Sequence, residues 1–378
     1  MDYVAALLLW HAAAGAIPAQ PRSIPAALLG VWWVASWVAQ SFAAPLLLAA
    51  LAVAAFAWHD GDVAGVLMAA PAAVLFAFVH LRNRRAARLL LRAMGLADRV
   101  PWSAGMWPIV RDDPRVRRIA DLSYGDHGVR NRLDLILPVV PPAGPMPVLV
   151  HIHGGAWITG HKRQQARPLI HHLAAHGWMV ADVNYRLGPR DRMPAMVTDV
   201  LRAVAWVREH AAEHGGDPAR VAVTGESAGG HLAAMVALAH DDPALKPGFE
   251  QADCSVVAAV PLYGRYDMLD RARRAGRNHA ALLRFAAARF MPGSPDATWH
   301  AMSPMERVRA DAPPMLLIHG TGDILLPHEE SAAFAAALPD ATCVALPGIE
   351  HAYDIAASAA TWGHVRAVRA FLDRHVNG

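Results

Sequence analysis

The fold is decided by the stretch VAVTGESAGGHLAAMVAL, residues 221–238. Its first four residues favour a short buried strand, and the residues after Gly230 favour a buried helix. Between them lies a G-x-S-x-G pattern, in which the serine occupies a tight strand-to-helix turn that exposes its hydroxyl. The flanking glycines allow the strand and the helix to approach closely. The stretch therefore predicts Ser227 as a nucleophile at a helix N-terminus, where negative charge is favoured.

A second stretch, HGGAW at residues 153–157, supplies what an acyl-transfer nucleophile needs beside it. It follows an apolar run that is predicted to be a strand, and its small residues allow successive backbone N–H groups to turn toward one point. We expect an oxyanion hole formed by the N–H groups of Gly154, Gly155 and Ala228.

Two further residues are assigned to the substrate pocket from their place beside these motifs. Trp157 adjoins the oxyanion glycines and is expected to wall the pocket, with plain core packing as an equal alternative. Glu226 precedes the nucleophile; we expect it to be buried and to order the turn by hydrogen bonding.

The partners of Ser227 should follow it in chain order, first an acid and then a histidine. Asp323 follows one strand-like apolar run, and His351 follows the next. We therefore predict Asp323 as the acid and His351 as the base. Two rival acids rank below Asp323, because Glu329 lies one turn into the predicted next helix and Glu350 adjoins the base itself.

Strand-like and helix-like segments alternate after residue 115, which is typical of a mostly parallel sheet covered by helices on both faces. Residues 131–137 predict an early antiparallel strand. Ligands bind at the carboxyl ends of such strands, and the residues named above lie there. Residues 264–304 show no strand signal and are long for a connection; we interpret them as a lid, with a structural helical hairpin as the alternative.

From about residue 115 to its C-terminus the chain resembles the hormone-sensitive-lipase-like branch of the α/β-hydrolases, which includes bacterial carboxylesterases and acetyl esterases. The resemblance implies the α/β-hydrolase fold, the triad Ser227, Asp323 and His351, and the oxyanion donors named above. The chain departs from the branch at Ala156, where a third glycine is common. The motifs that carry the resemblance are HGGAW at 153–157, NYRL at 184–187, GDP at 216–218, GESAGG at 225–230, HGTGD at 319–323, and His351.

The N-terminal quarter is different in kind. The whole chain is 54% hydrophobic and 18% charged, and Arg22 is the one full charge between Tyr3 and His59. A membrane-spanning helix needs about 20 apolar residues. Apolar stretches that approach this length predict a transmembrane region of three or four helices over residues 1–82; the alternative is a buried helical subdomain of a soluble protein. The stretches are residues 4–17, 24–40, 42–58 and 63–81.

Five arginines directly follow the last apolar stretch: Arg82, Arg84, Arg85, Arg88 and Arg92. Since an arginine excess at the end of a span marks the cytoplasmic side, we expect the catalytic domain on the cytoplasmic face of a bacterial inner membrane. A solvated helix face is the plain alternative. Residues 83–114 are predicted to be an interfacial amphipathic helix and a linker, and residues 115–378 the catalytic domain.

These features predict a membrane-anchored serine carboxylesterase or lipase-like hydrolase that cleaves carboxylic esters through an acyl-enzyme. The mechanism needs no metal and no organic cofactor. The expected partners are an apolar or lipid-like ester and membrane lipids, because a net charge of +3 is too small to argue for nucleic acid. Two other functions stay open: a membrane acyltransferase with the same acyl-enzyme, and a catalytically idle membrane-anchored interaction module.

Overall fold

A computed structural model describes residues 2–17, 26–274, 284, 287–291 and 297–376. Its sheet is built from β1 Val116–Ser123, β2 Arg132–Pro138, β3 Met146–Ile152, β4 Met179–Val183, β5 Gly216–Glu226, β6 Ala258–Leu262, β7 Met315–Gly320 and β8 Ala341–Leu346. The spatial order is β1-β2-β4-β3-β5-β6-β7-β8. Strand β2 runs antiparallel to β1 and β4, and the other neighbouring pairs are parallel.

The central strands are buried along their whole length, as in β3 and β4. Apolar runs of this kind suit a parallel sheet that is covered on both faces. Because side chains alternate along a strand, Val148 and Val150 enter one core cluster and Leu149 enters the other. The architecture confirms the predicted α/β-hydrolase fold and its early antiparallel strand.

Helices cover the two faces of the sheet unequally. Helices α6 and α7 contribute to the core on one face, whereas α5, α10 and the end of α4 contribute to the core on the other. The helices, which are numbered along the described part of the chain, are α1 Asp2–Ala16, α2 Ala26–Ser41, α3 Ala43–His59, α4 Val63–Ala93, α5 Arg167–Ala174, α6 Ala195–His210, α7 Ala228–Ala239, α8 Ala297–Ala301, α9 His328–Ala337 and α10 Ala359–Val376.

The four N-terminal helices pack through small residues. Ala12, Ala39, Ala50 and Ala72 are fully buried between them. Close approach of backbones at small side chains is typical of helices that associate within a membrane. Many large apolar side chains of the same helices are exposed, and they include Leu7, Val31, Leu51, Phe56, Leu67, Val74 and Phe78.

The structure supports fewer membrane spans than the three or four predicted. Within the described residues, α4 is the one helix long and apolar enough to cross a membrane. Residues Gly30–Ser41 and Ala43–His59 satisfy the same criterion only as a pair, and the pair is bent by 86°. Helix α1 has 15 residues and is short for a span.

Helix α4 continues past the predicted domain boundary at residue 82 and ends at Ala93. Its last turns do not present an apolar face to lipid, because Ala86 and Leu90 pack into the core of the hydrolase region. Arg84 is buried and donates to the carbonyl oxygens of Val100 and Pro101, both at 2.7 Å. The expected amphipathic helix is therefore the end of α4, docked on protein, and only three of the five arginines remain exposed: Arg85, Arg88 and Arg92.

Of the predicted lid, residues 264–304, the structure describes residues 264–274, 284, 287–291 and 297–304; the others lie outside the described residues. Phe290 is buried, and its ring lies 4.4 Å from that of Trp157. Its carbonyl accepts from the N–H of Met193 at 2.7 Å. Residues 287–291 therefore pack on the hydrolase core, and the role of the segment as a lid stays a prediction.

Candidate active site

Ser227 lies at the turn between β5 and α7 with φ +57° and ψ −112°, a conformation that is strained for a residue with a side chain. The two glycines that flank Ser227, Gly225 and Gly229, are packed closely against backbone atoms. A Cβ on Gly229 would lie 1.9 Å from the carbonyl oxygen of Ile152, and one on Gly225 would lie 2.4 Å from that of Gly229. Glycine is required at both positions, so the sharp turn that projects Ser227 beyond the sheet edge follows from the sequence.

Asp323 and His351, which follow neighbouring strands, meet at this edge. His351 Nδ1 lies 2.6 Å from Asp323 Oδ2, and both side chains are buried. Asp323 Oδ1 accepts from the N–H groups of Leu325 and Leu326, both at 2.8 Å. These bonds hold the carboxylate still, so that it fixes the orientation of the imidazole.

The electrostatics of this pair suit a base and its orienting acid. Burial by itself would raise the pKa of Asp323, but the charges of His351 and His319 and their hydrogen bonds outweigh it and lower that pKa. Burial would lower the pKa of His351, and the charges of Asp323, Glu350 and Asp354 reverse the effect and raise it. His351 is therefore a stronger base than an isolated imidazole.

Neither rival acid occupies the place of Asp323. Glu329 is exposed and lies 3.4 Å from His328. Glu350 is buried, and its Oε1 accepts from the backbone N–H groups of His351 at 2.9 Å and Ile324 at 3.0 Å. Burial, helped by the charge of Asp323, raises the pKa of Glu350 to about 8.

Ser227 and His351 are brought to one region by strand β6. The N–H of Ser227 donates to the carbonyl of Leu262 at 3.0 Å. Tyr263 follows Leu262, and its ring lies 4.8 Å from the His351 imidazole in an edge-on arrangement. The Ser227 side chain makes no capping hydrogen bond to the start of α7. Catalytic hydrogen bonds often tighten only when a substrate is bound.

The predicted oxyanion donors differ in whether their N–H groups are already bonded. A Cβ on Gly154 would lie 3.3 Å from Ser227 Cβ, so this glycine lies directly against the nucleophile. However, the Gly154 N–H already donates to Gln165 Oε1 at 2.6 Å. The described hydrogen bonds include none from the N–H of Gly155 or of Ala156. The role of Gly154, Gly155 and Ala228 as oxyanion donors stays a prediction.

Glu226 is buried as expected and belongs to a polar network that the sequence did not reveal. His151 is fully buried between Glu226 Oε2 at 2.8 Å and Asp182 Oδ1 at 2.7 Å. Burial opposes the charging of His151, but the two carboxylates raise its pKa to about 10. Glu226, which precedes Ser227, is therefore held by an ion pair with His151.

A second buried carboxyl group lies near Glu226. The oxygens Glu226 Oε1 and Asp354 Oδ2 are buried and lack a hydrogen-bond partner among the described residues. Asp354 also contacts the Tyr263 hydroxyl. Burial and the charge of Glu226 raise the pKa of Asp354 to about 7. In the sequence, the only sign of a role for Asp354 is its position three residues after His351.

Trp157 belongs to the hydrophobic core, and its indole is tied to α7. Its Nε1–H donates to His231 Nδ1 at 3.2 Å, while His231 Nε2 lies 2.8 Å from the carbonyl oxygen of Met302. Burial lowers the pKa of His231 to about 4, so the ring is neutral and serves both contacts. The packing alternative for Trp157 agrees with this environment.

A mostly parallel sheet, with a strained serine turn after β5 and an aspartate–histidine pair after β7 and β8, defines the α/β-hydrolase fold. Residues 133–338 match the BD-FAE family. The chain belongs to this family of α/β-hydrolases.

The relatives of the chain carry esterase names. A probable carboxylic ester hydrolase of Mycobacterium tuberculosis, LipM, is 41% identical over 261 residues, which cover 67% of this chain and 60% of LipM. Esterase LipQ of the same organism is also 41% identical, over 67% of this chain and 61% of LipQ. The chain thus spans about 60% of the length of these curated relatives.

Solved structures agree on the fold. Esterase 2 of Thermogutta terrifontis, phosphoramylated by tabun, superposes with a TM-score of 0.56 at 27% identity. The match covers 69% of this chain and 95% of that one.

Proposed function

We propose that this protein is a carboxylic ester hydrolase that acts through Ser227, His351 and Asp323. The observation that carries the proposal is the buried contact of 2.6 Å between Asp323 and His351 at the strand edge where Ser227 stands in a strained turn. The esterase names of the relatives support the same reaction class.

In the proposed reaction, Ser227 Oγ attacks the ester carbonyl while His351 Nε2 takes its proton. Because His351 Nδ1–H donates to Asp323, Nε2 is the nitrogen free to act as the base. The N–H groups of Gly155 and Ala228 stabilise the oxyanion, with Gly154 contributing once it releases Gln165. Each such donor is worth about 2.7–4 kcal/mol in the transition state. The imidazolium returns its proton to the leaving alcohol, and water then releases the acid from the acyl-enzyme.

The proposal includes a membrane anchor. Large apolar side chains cover the outside of the N-terminal helices, and α4 is long enough to span. Exposed apolar surface of this extent is typical of membrane contact. The exposed Arg85, Arg88 and Arg92 follow the apolar part of α4 and favour a cytoplasmic hydrolase region. The partners would then be membrane lipids and an apolar or lipid-like ester.

The nucleophile is tested by labelling the detergent-solubilised full chain with a fluorophosphonate. We expect mass addition on Ser227, and neither labelling nor ester turnover in Ser227→Ala. Ser255→Ala is the control, because Ser255 precedes β6 and so lies toward the opposite edge of the sheet. Ester turnover by Ser227→Ala at the wild-type rate would disprove the mechanism. Addition of a competing alcohol then distinguishes hydrolysis from acyl transfer by the product formed.

The anchor is tested separately by paired reporters fused after Gly378, one active only in the cytoplasm and one active only outside it. We expect only the cytoplasmic reporter to be active, with the protein in the membrane fraction. Activity of the outside reporter alone would reverse the orientation. Recovery of the full chain in the soluble fraction without detergent would disprove the proposed membrane anchor.

A further inference from the structure

Helix α2, which lies in the predicted transmembrane region, contacts the loop that carries His351. On one side of His351, the backbone N–H of Glu350 donates to Gln40 Oε1 at 2.9 Å. On the other side, Trp37 Nε1–H donates to the carbonyl oxygen of Ala352 at 2.9 Å. Gln40 and Trp37 lie three residues apart and therefore on one face of the helix. The two bonds therefore hold the residues directly before and after His351, the proposed base.

The same helix also contacts the loop that carries Asp323. Ile324, the residue after Asp323, is fully buried against the rings of Trp32 and Trp33. One helix therefore lies against both loops whose side chains make the acid–base pair. The contacts join residues about 300 positions apart in the chain, so they depend on how the helical region docks on the hydrolase region.

Gln40 is held in a single orientation. It is buried, and its Nε2–H donates to Ser36 Oγ at 3.2 Å, which directs Oε1 toward Glu350. Its backbone oxygen accepts from Asn83 Nδ2 at 2.7 Å, which fixes the end of α2 against α4. Loss of the Gln40 acceptor would leave the Glu350 N–H buried without a partner, and this is destabilising for the loop.

We infer that Gln40, assisted by Trp37, is a positioning residue for His351, so that the apolar N-terminal region is part of the catalytic apparatus as well as an anchor. Gln40 touches no reacting atom; it acts by holding the main chain on which the imidazole is mounted. The catalytic part of the inference rests on the proposed ester hydrolysis, whereas the holding of the loop does not.

The test uses the full chain in detergent and the volume-conserving change Gln40→Met, which removes the acceptor. We expect kcat to fall about tenfold with KM within about twofold, because a displaced base weakens the transition state and not substrate binding. Gln40→Glu keeps an acceptor oxygen and should recover most of the loss. Trp37→Phe keeps the ring but loses the second bond, and it should lower kcat by a smaller factor.

The matched control is Asn83→Ala, which removes the bond between α4 and the Gln40 main chain but leaves the side-chain acceptor of Gln40 in place. It should lower the melting temperature while leaving kcat within about twofold of wild type. An equal fall of kcat in Asn83→Ala and Gln40→Met would mean that a loosened interface is responsible, and this would overturn the inference.

Amide hydrogen exchange of the Glu350 N–H provides a readout that does not depend on activity. We expect faster exchange in Gln40→Met than in wild type and in Asn83→Ala. If exchange is faster in Gln40→Met but the wild-type protein hydrolyses no ester, the inferred contact between Gln40 and the loop still holds. That outcome rejects only the proposed ester hydrolysis. Unchanged exchange, or unchanged kcat in an active esterase, would overturn the inference.

Discussion

The helical region up to residue 93 and the hydrolase region after residue 115 distribute their side chains in opposite ways. In the hydrolase region the large apolar side chains lie inside, and of those described only Val129, Val139 and Val140 are exposed. In the helical region the interior is formed largely by alanine, with a few large side chains such as Phe76 and Val79, while many leucine, valine and phenylalanine side chains lie outside. The two regions of the chain therefore differ in the kind of side chain that they expose.

The interiors also differ in charge. Beneath the hydrolase active site lie buried ionisable groups: Asp182, His151, Glu226, Asp354, Asp323 and Glu350. The described part of the helical region also buries polar groups, among them Gln40, Asn83, Arg82 and Arg84, but no carboxylate. The comparison indicates that the sheet holds the candidate chemistry, whereas the helices supply an apolar exterior and a few polar contacts with the hydrolase region.

The largest effect is expected when the acid of the hydrolase region is removed. Asp323→Asn should lower kcat by about 10⁴-fold, because the amide favours the wrong tautomer of His351. Glu329→Gln changes an exposed carboxylate and should leave kcat near wild type. Glu350→Gln retains a backbone acceptor and should be mild. Steady-state ester hydrolysis measures all three, and a loss in Glu350→Gln equal to that of Asp323→Asn would displace Asp323 as the acid.

A matched pair of leucine truncations tests the opposite distribution of side chains. Leu133 is fully buried in β2, so Leu133→Ala should lower the free energy of unfolding by about 2–5 kcal/mol. Leu67 is 68% exposed on α4, so Leu67→Ala should change it by no more than about 0.5 kcal/mol. Unfolding in detergent, followed by circular dichroism, gives both values. An equally large loss for Leu67→Ala would show that protein, and not lipid or detergent, covers that face.

The smallest expected effect is a shift in the pH dependence of kcat, caused by the buried charges of the hydrolase region. The base must be neutral to accept a proton, and the pKa of His351 is raised, so activity should decline on acidification from a pH above the ordinary histidine value. The charge of Asp354 contributes to that raised pKa. Asp354→Asn should therefore move the acidic limb of the kcat profile to lower pH. A limb that stays in place would mean that Asp354 does not act on His351.

Local patterns were sufficient for the sheet and for the nearness of Asp323 to His351. Both residues follow strands whose carboxyl ends meet at one edge, so their order in the chain predicts their proximity. The position of His151 between Asp182 and Glu226 was not predictable in this way. It depends on the register that pairs β3 with β4 and with β5, which no short pattern states.

The docking of the helical region was also beyond the sequence patterns. The bond between Gln40 and Glu350 joins positions 310 apart, and nothing in an apolar helix marks a single glutamine as a partner of a catalytic loop. The arginines after residue 81 showed a related difficulty. Their spacing indicates an exposed basic flank, but Arg82 and Arg84 are buried against backbone carbonyls of neighbouring segments.

Helix α4 runs without interruption for 31 residues, from the apolar helices into the hydrolase core. At 1.5 Å per residue it is about 46 Å long, and its one proline, Pro71, lies in the apolar part, so the segment that joins the two regions is continuous helix. With the apolar helices in a bilayer, the catalytic serine would be kept at a fixed height above the lipid. The enzyme would then search a thin layer of constant depth, where an ester dissolved in the membrane reaches a high local concentration and a soluble one does not.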